Sequence, residues 1–329
     1  MSTRVVVTGG GGFIGAYLVR RLVRDGWDVA VIDTMVRGEA GRLAEVADDI
    51  ELFTCDVRDQ DALEGAFAGA EVVMHLAAIN GTENFYKRPE LVLDVGLRGA
   101  LAVVNAGRNA GVPDLVVASS AEVYQTPSVV PTPETIPLML PDSLNPRYSY
   151  GGSKIVSELI AFDYAQDHYR KVQVFRPHNV YGPDMGYKHV IPQFIARARA
   201  ARDATPDGPA RFEIQGDGTQ TRAFCYVDDI VDGVLTMYDN GGHREIFHIG
   251  NDEEVSIRDL AGRVAKAVGI EVEICPTEEA EGGTPRRCPD ISKMRGLGYQ
   301  PAVGLDEGLK RTAAWYLRHG SDAVTNELL

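Results

Sequence analysis

The sequence is poor in several features that would each mark a particular class of protein. Its four cysteines, Cys55, Cys225, Cys275 and Cys288, stand singly and far apart with no C-x-x-C pair. That spacing fits no disulfide framework and predicts reduced thiols in a cytoplasm. Long apolar runs are absent too: nothing approaches the roughly 18 uninterrupted apolar residues that mark a membrane span. The first residues enter a strand pattern without a basic segment followed by an apolar one, so no export signal is expected. Positive charge is in deficit, with 33 Lys and Arg against 47 Asp and Glu for a formal charge of −14. This balance argues against nucleic acid or an anionic membrane as a partner, and any anionic small molecule must be held by a local cluster of Arg and Lys. The histidines His75, His168, His178, His189, His243, His248 and His319 show neither paired helical spacing nor nearby cysteines, so no metal is expected. No internal repeat or low-complexity tract is evident.

Glycine is plentiful, and one cluster of it is informatively placed. "VVVTGGGGFIGAYLV", residues 5–19, is a β-branched run that breaks into consecutive glycines and resumes with apolar residues at helical spacing. Gly9, Gly12 and Gly15 are spaced so that the chain turns tightly, a pyrophosphate reaches the backbone, and the new helix packs close to the strand. Phe13 and Ile14 then open a helix whose N-terminus supplies N–H donors and positive potential. The glycines alone would also fit a mobile loop. A second strand, "WDVAVID", ends in Asp33, 18 residues past Gly15 and near the ~20 at which a carboxylate reaches adenosine ribose hydroxyls. The pattern predicts a dinucleotide site. An acid at this place repels a 2′-phosphate and favours NAD over NADP, with Arg37 close enough to oppose that preference.

Strand-like runs end at "RVVVT", "DVAVID", "IELFT", "EVVMHLA", "LVVASS" and "VQVFRP", and most gaps between them hold a helical pattern such as "PELVLDVGLRGALAVVNAGRNA". The alternation predicts an α/β fold, a Rossmann-type doubly wound parallel sheet with right-handed crossovers. After about Pro177 the elements shorten, with a Pro/Gly/Asp-rich stretch "RDATPDGPARFEIQGDGTQ". The expected division is a Rossmann domain at 1–177 that also receives about 221–245, and a smaller α/β lobe at 178–329 covering the carboxyl ends of the strands. Residues 125–149 hold six prolines and little periodicity, which predicts a flap-like loop near the site.

Chemistry enters with "YSYGGSKIVSELIAFDYA". Tyr150 and Lys154, at i and i+4, share one helix face, where a lysine ammonium stabilises a phenolate and lowers its pKa from the usual ~10. Such a tyrosine is a general base for an alcohol, although the pair alone also fits a tyrosine packed beside an exposed lysine. Upstream, "VVASSAEVY" puts Ser120 at the end of the fifth strand, at the sheet edge where catalytic groups collect, and its hydroxyl can bond a substrate oxygen. The same serine would also suit a plain strand-end turn.

With these residues in place the chain resembles an extended short-chain dehydrogenase/reductase of the nucleotide-sugar epimerase/dehydratase group, from about Val5 to about Tyr316. "TGGGGFIG", "HLAA", "SSAEVY", "YGGSK", "RPHNVYGP", "GDGTQTRAFCYVDD" and "RRCPDISK" are similar to that family's motifs and occur in its order. The resemblance implies Asp56 and Val57 at the adenine, Leu76, Ala77 and Ala78 beside the cofactor, and Pro177 and His178 near the nicotinamide. It implies Asn80, Asn179, His189 and Val190 on the sugar or phosphate side, and Arg222 and Arg287 on the substrate diphosphate, where planar guanidinium forks suit phosphate. A plain surface position would account equally for His189, and is the blander alternative for the arginines.

The implied activity is that of an NAD-dependent nucleotide-sugar epimerase, most naturally a 4-epimerase. In it Tyr150 takes the hydroxyl proton, Ser120 orients the oxygen, and Lys154 holds Tyr150 and the nicotinamide ribose. The partner expected is a nucleotide diphosphate sugar, and the helices around 90–110 and 150–169 imply a homodimer. Three departures complicate this. Gln125 stands where a glycine usually follows "VY", Asp94 replaces a common asparagine, and "SSAEVY" carries Glu122. A glutamate there resembles 4,6-dehydratases and the decarboxylases of nucleotide-linked glucuronate, where it can act as base at carbon 5. Dehydratases usually precede it with an Asp, here Ala121, while the similar GDP-mannose 3,5-epimerases use a cysteine in its place. A dehydratase, a decarboxylase, a 3,5-epimerase and a ketoreductase remain the rival enzymes, and an NAD-sensing binding protein is the non-enzymatic rival.

Overall fold

Three adjacent valines, Val5, Val6 and Val7, each wholly buried, set the character of the first strand: it is covered on both faces and reads as a continuous apolar run. In the computed structural model, which describes residues 2–36, 38–165, 167–204, 208–278 and 284–319, the same holds for most of the central sheet. Its strands are β1 (Arg4–Thr8), β2 (Asp28–Ile32), β3 (Ile50–Phe53), β4 (Val72–His75), β5 (Asp114–Ala118) and β6 (Lys171–Pro177). The helices between them are α1 (Phe13–Arg24), α2 (Gln60–Phe67), α3 (Thr82–Lys87), α4 (Pro89–Asn109) and α5 (Ser149–Leu159). A seventh strand, Glu245–Ile249, pairs parallel with β6, and the sheet order is β3-β2-β1-β4-β5-β6 followed by that strand. The order reverses between β1 and β4, and at such a switch point the carboxyl ends of the strands open a ligand crevice.

Two apolar clusters cover the two faces of the sheet. One joins β1, β2 and α1 to the helix Val227–Asn240, and the other joins β4 and β5 to α2 and α4. Close packing on the second face depends on glycine. A Cβ on Gly96 of α4 would lie 2.7 Å from Ser153 Cβ, so α5 approaches α4 closely and Ser157 donates to the Gly96 carbonyl at 3.1 Å. Past Leu159 the helix widens into a π turn over Ile160–Tyr164.

The remaining chain builds a smaller layer. Helices Val190–Ala204, Ile257–Val268 and Leu305–His319 pack with the parallel pair Ala210–Gln215 and Val272–Thr277 into a third cluster. A three-stranded sheet in the order Glu254–Ser256, Thr221–Ala223, Arg286–Arg287 completes this layer. The proline-rich stretch from 125 is pinned in its first half: Thr132 N donates to the Cys288 carbonyl at 2.8 Å, and His248 N donates to Glu134 Oε1 at 2.9 Å. No helix among the described residues is long and apolar enough to cross a membrane.

Candidate active site

The glycine turn after β1 is as tight as its spacing predicts. Gly9 has φ +75°, and a Cβ there would lie 2.7 Å from Ala77 N. A Cβ on Gly15 would come within 2.1 Å of the Gly9 carbonyl oxygen, so α1 sits directly on the turn. Gly12 is the N-cap of α1 and no side chain caps the helix, which leaves the amides of Phe13 and Ile14 without a side-chain partner at its positive end. The aromatic body of Phe13 packs edge-on against Tyr17 at 5.7 Å, while Ile14 packs on the core. Asp33, at the end of β2, accepts from Gly11 N at 3.0 Å and from Met35 N at 2.9 Å. Its carboxylate is thereby aimed by the glycine turn itself and retains lone pairs for further donors. Arg37 lies outside the described residues.

Along the same edge, Leu76 N donates to the Thr8 carbonyl at 3.0 Å and Ala77 N to Thr8 Oγ1 at 3.3 Å, holding the end of β4 beside the turn. Val57 is buried beneath Gly99 of α4, and Asp56 is bonded by Arg58, which holds its carboxyl below the usual carboxylate range. Asp94 is the other partner of Arg58. A bare turn, an uncapped helix start and an acid at the neighbouring strand end form the donor and acceptor set that a dinucleotide requires. The residues present therefore fit such a group.

At the centre of the edge, α5 presents Tyr150 and Lys154 on one face. Tyr150 is buried, and its ring stacks on Phe85 of α3 with centroids 5.3 Å apart and planes at 14°. Ala78 packs on this same small cluster. Lys154 Nζ lies 5.8 Å from the Tyr150 ring centroid and donates to the Ala118 carbonyl at 2.7 Å. Burial pushes the Lys154 ammonium down to about 8, while the Glu158 carboxylate pulls the other way. In turn, burial and then the Lys154 charge push His75 down to about 3, so His75 stays neutral and its Nδ1 meets Thr8 Oγ1 at 2.8 Å.

Ser120 caps the short 3-10 turn Ala121–Tyr124, its Oγ accepting from Glu122 N at 3.2 Å. This turn reaches α5 because Gly151 has no side chain: a Cβ there would lie 2.5 Å from Gln125 Nε2 and 2.9 Å from the Glu122 carbonyl oxygen. Gln125 adopts φ +52°, a left-handed conformation that suits glycine and costs a larger side chain. A glycine would adopt this conformation freely, and Gln125 Nε2 offsets part of the strain by donating to Glu122 O at 2.6 Å.

The Glu122 carboxylate accepts from Arg287 Nη1 at 2.6 Å. Arg287 and Arg222 stand in register on adjacent parallel strands, so both guanidiniums face one way. Arg222 donates to the Thr221 carbonyl at 2.7 Å rather than to a carboxylate. Burial, and next the charge of Arg287, push Arg222 down to about 10. Two like charges are thus held side by side at a partly buried place, one of them met by Glu122, and planar guanidinium forks of this kind suit an anion.

Beyond β6, Pro177 leads into His178, whose N–H donates to the Ile249 carbonyl at 3.0 Å. The His178 ring is fully buried with neither nitrogen bonded, and its pKa is pushed well below the ordinary value by burial and then by His248, whose ring centroid lies 4.7 Å away. Asn179, at φ +39°, donates from Nδ2 to the Ala223 carbonyl at 2.8 Å and so ties this edge to the arginine strands. Val190 opens the helix Val190–Ala204 and packs on the third cluster. His189 beside it is exposed, as is Asn80, which accepts from Gly81 N at 2.7 Å. Both lie at the surface, whereas the turn that Ser120 caps packs on α5, which carries the buried Tyr150 and Lys154.

Residue patterns alone missed several neighbours. Phe85 gives no local signal, since the short helix that carries it shows no periodicity to single it out. Arg42 donates from Nη1 to the Gly11 carbonyl at 3.5 Å and from Nε to Asp184 Oδ2 at 2.9 Å, clasping the glycine turn to the loop after Tyr181. The pair Glu158 and Arg176 was hidden because its members lie on different elements. Among the described residues no group of three or more His, Cys, Asp or Glu is placed to hold a metal.

Residues 5–250 match the NAD-dependent epimerase/dehydratase family. The chain belongs to that family. It is 34% identical to a UDP-glucose 4-epimerase of Mycolicibacterium smegmatis, with 95% of this chain and 98% of the relative aligned. To a UDP-glucuronic acid decarboxylase 1 of Xenopus tropicalis it is 30% identical over 99% of this chain and 75% of the relative. Among solved structures it superposes on the dTDP-glucose 4,6-dehydratase DesIV of Streptomyces venezuelae, solved with NAD bound, with a TM-score of 0.85 and 28% identity over 96% and 98% of the two chains. These three relatives catalyse three different outcomes at similar distance. The family member is thus an NAD-dependent enzyme of the nucleotide-sugar epimerase, dehydratase and decarboxylase group, and the outcome must be sought in the site.

Proposed function

We propose that this protein is a nucleotide-sugar 4-epimerase. The observation that carries the reading is the state of Glu122. The only carboxylate of the Ser120–Gln125 turn is turned onto Arg287 at 2.6 Å, and Ala121 beside it offers no acid, so the turn lacks the acid and base pair that would divert a ketone to elimination. Tyr150 is the base that accepts the proton of the sugar hydroxyl and later returns it. Buried against Phe85, its ring has a fixed place, and the neighbouring ammonium of Lys154 favours the phenolate. Ser120 orients the same oxygen. The amides of Phe13 and Ile14 bind the cofactor pyrophosphate, Asp33 the adenosine ribose, and Lys154 the nicotinamide ribose. Bound NAD supplies the hydride acceptor and donor at the sugar carbon. Arg222 and Arg287 bind the substrate diphosphate and leave the sugar ring free to present either face.

Replacement of Tyr150 by Phe tests this. It keeps the stacking on Phe85 and removes only the hydroxyl, so substrate-dependent reduction of bound NAD should fall by ~10² to 10⁴, the size of a lost general base. Retention of that step would remove Tyr150 from the chemistry.

A second reading, decarboxylation of a nucleotide-linked glucuronate, is favoured by the presence of Glu122 and by the Xenopus relative. It predicts loss of carbon dioxide from a uronate substrate.

A further inference from the structure

Behind the candidate catalytic residues runs a buried string of polar groups that the proton transfer does not use. Glu158 lies one helical turn after Lys154 on α5 and is buried. Arg176 of β6 grips it in a fork, Nε to Oε1 at 2.8 Å and Nη2 to Oε2 at 2.5 Å, with both side chains at most 4% exposed. Ser119, next to Ser120, donates to the same carboxylate. Arg176 also donates to the Tyr124 hydroxyl, and that hydroxyl meets His248 Nε2 at 2.7 Å. A buried ion pair rarely adds net stability over apolar packing, so its presence beside the site calls for another reason.

The groups facing Lys154 supply one. From its own helix come the Tyr150 ring and, one turn on, Glu158; from β4 comes His75, held neutral; from β5 comes the Ala118 carbonyl; Ser119 of the following turn and Arg176 of β6 meet Glu158 instead. Glu158 is the one anion in this set. We infer that Glu158 is a positioning residue that keeps the buried Lys154 protonated, and that Arg176 fixes the Glu158 carboxylate at the place where it can do so. Without that anion, burial would favour a neutral lysine that can neither stabilise a Tyr150 phenolate nor hold a ribose as a cation. The inference rests on the reading of Tyr150 and Lys154 given above.

The test follows Lys154 itself, in protein saturated with NAD and labelled at the lysine ε-carbons, with the Lys154 resonance identified by its loss in Lys154→Arg. In the native protein its midpoint should lie below that of a free lysine. In Glu158→Gln the midpoint should fall by about one unit or more, and in Glu158→Asp, which keeps the charge, it should stay near the native value. Should Glu158→Gln not fold because it leaves Arg176 buried and unpaired, the double variant Glu158→Gln/Arg176→Met removes that charge, and its midpoint should still lie below the native one. An unmoved midpoint in any folded variant lacking the Glu158 charge would overturn the inference. This titration needs no substrate, so its failure leaves the role of Tyr150 standing, and a fully active Tyr150→Phe leaves the titration result standing.

Discussion

Glu122 separates the proposed epimerase from its rivals, and Glu122→Gln is the perturbation that reads it out. The substitution keeps size and hydrogen bonding and removes the charge. In the structure the carboxylate meets Arg287 at 2.6 Å, with side chains 29% and 13% exposed respectively. A partly exposed pair of this kind contributes about 1 kcal/mol or less, which is a factor of about five in an equilibrium. Releasing Arg287 also frees a guanidinium to meet a diphosphate, which works against that loss. Product formation by Glu122→Gln should therefore stay within about tenfold of the native enzyme in kcat/KM. If Glu122 instead removes a proton at carbon 5, product formation should fall by ~10² to 10⁴ while substrate still reduces the bound NAD. Steady-state product analysis alongside the absorbance of reduced nicotinamide reports both quantities, and the second pattern would refute the role assigned here.

Arg222→Met should weaken binding of UDP or dTDP by about 10- to 100-fold, as expected for one charged hydrogen bond to phosphate, and calorimetric titration measures it. Stability should fall as pH drops below the ordinary histidine value of about 6.5, because burial holds His75 and His248 down to about 3 and His178 below its ordinary value. The unfolded chain binds those protons first, so each histidine lowers stability by roughly 1 kcal/mol per pH unit in that window; urea unfolding at pH 7 and pH 5 checks the sign. We also propose a homodimer through α4 and α5, where Leu93, Val156 and Leu159 are exposed on neighbouring helices; light scattering giving a monomer mass at micromolar concentration would contradict it.

The parts of the molecule that follow a local pattern were legible in the sequence. The six strands ending at Thr8, Ile32, Phe53, His75, Ala118 and Pro177 follow from runs of β-branched residues, and the glycine turn from its spacing. Tyr150 and Lys154 were legible because a helix carries i and i+4 to one face. The strand Glu245–Ile249 was overlooked as a sheet member, since "EIFHI" is short and is separated from its neighbour β6 by the helices Val190–Ala204 and Val227–Asn240 and the short strands between them. The contacts that distinguish this site are long-range. Glu122 meets Arg287 across 165 positions, and Tyr124 meets His248 across 124. No periodicity carries such pairs; only the return of the chain across the sheet edge creates them. Gln125 is an intermediate case. Its departure from glycine was visible, but the left-handed backbone that makes the departure costly was not.

The most direct test is to incubate the protein, saturated with NAD, in deuterated water with UDP-, dTDP-, GDP- and CDP-linked hexoses and uronates, and to examine each product by mass and NMR. The site geometry predicts a product of unchanged mass that is inverted at carbon 4 and carries no deuterium at carbon 5, since the hydride returns to the carbon it left. Loss of water, loss of carbon dioxide, or deuterium at carbon 5 would contradict a 4-epimerase, and loss of water or deuterium at carbon 5 without loss of carbon dioxide would make Glu122 a catalyst.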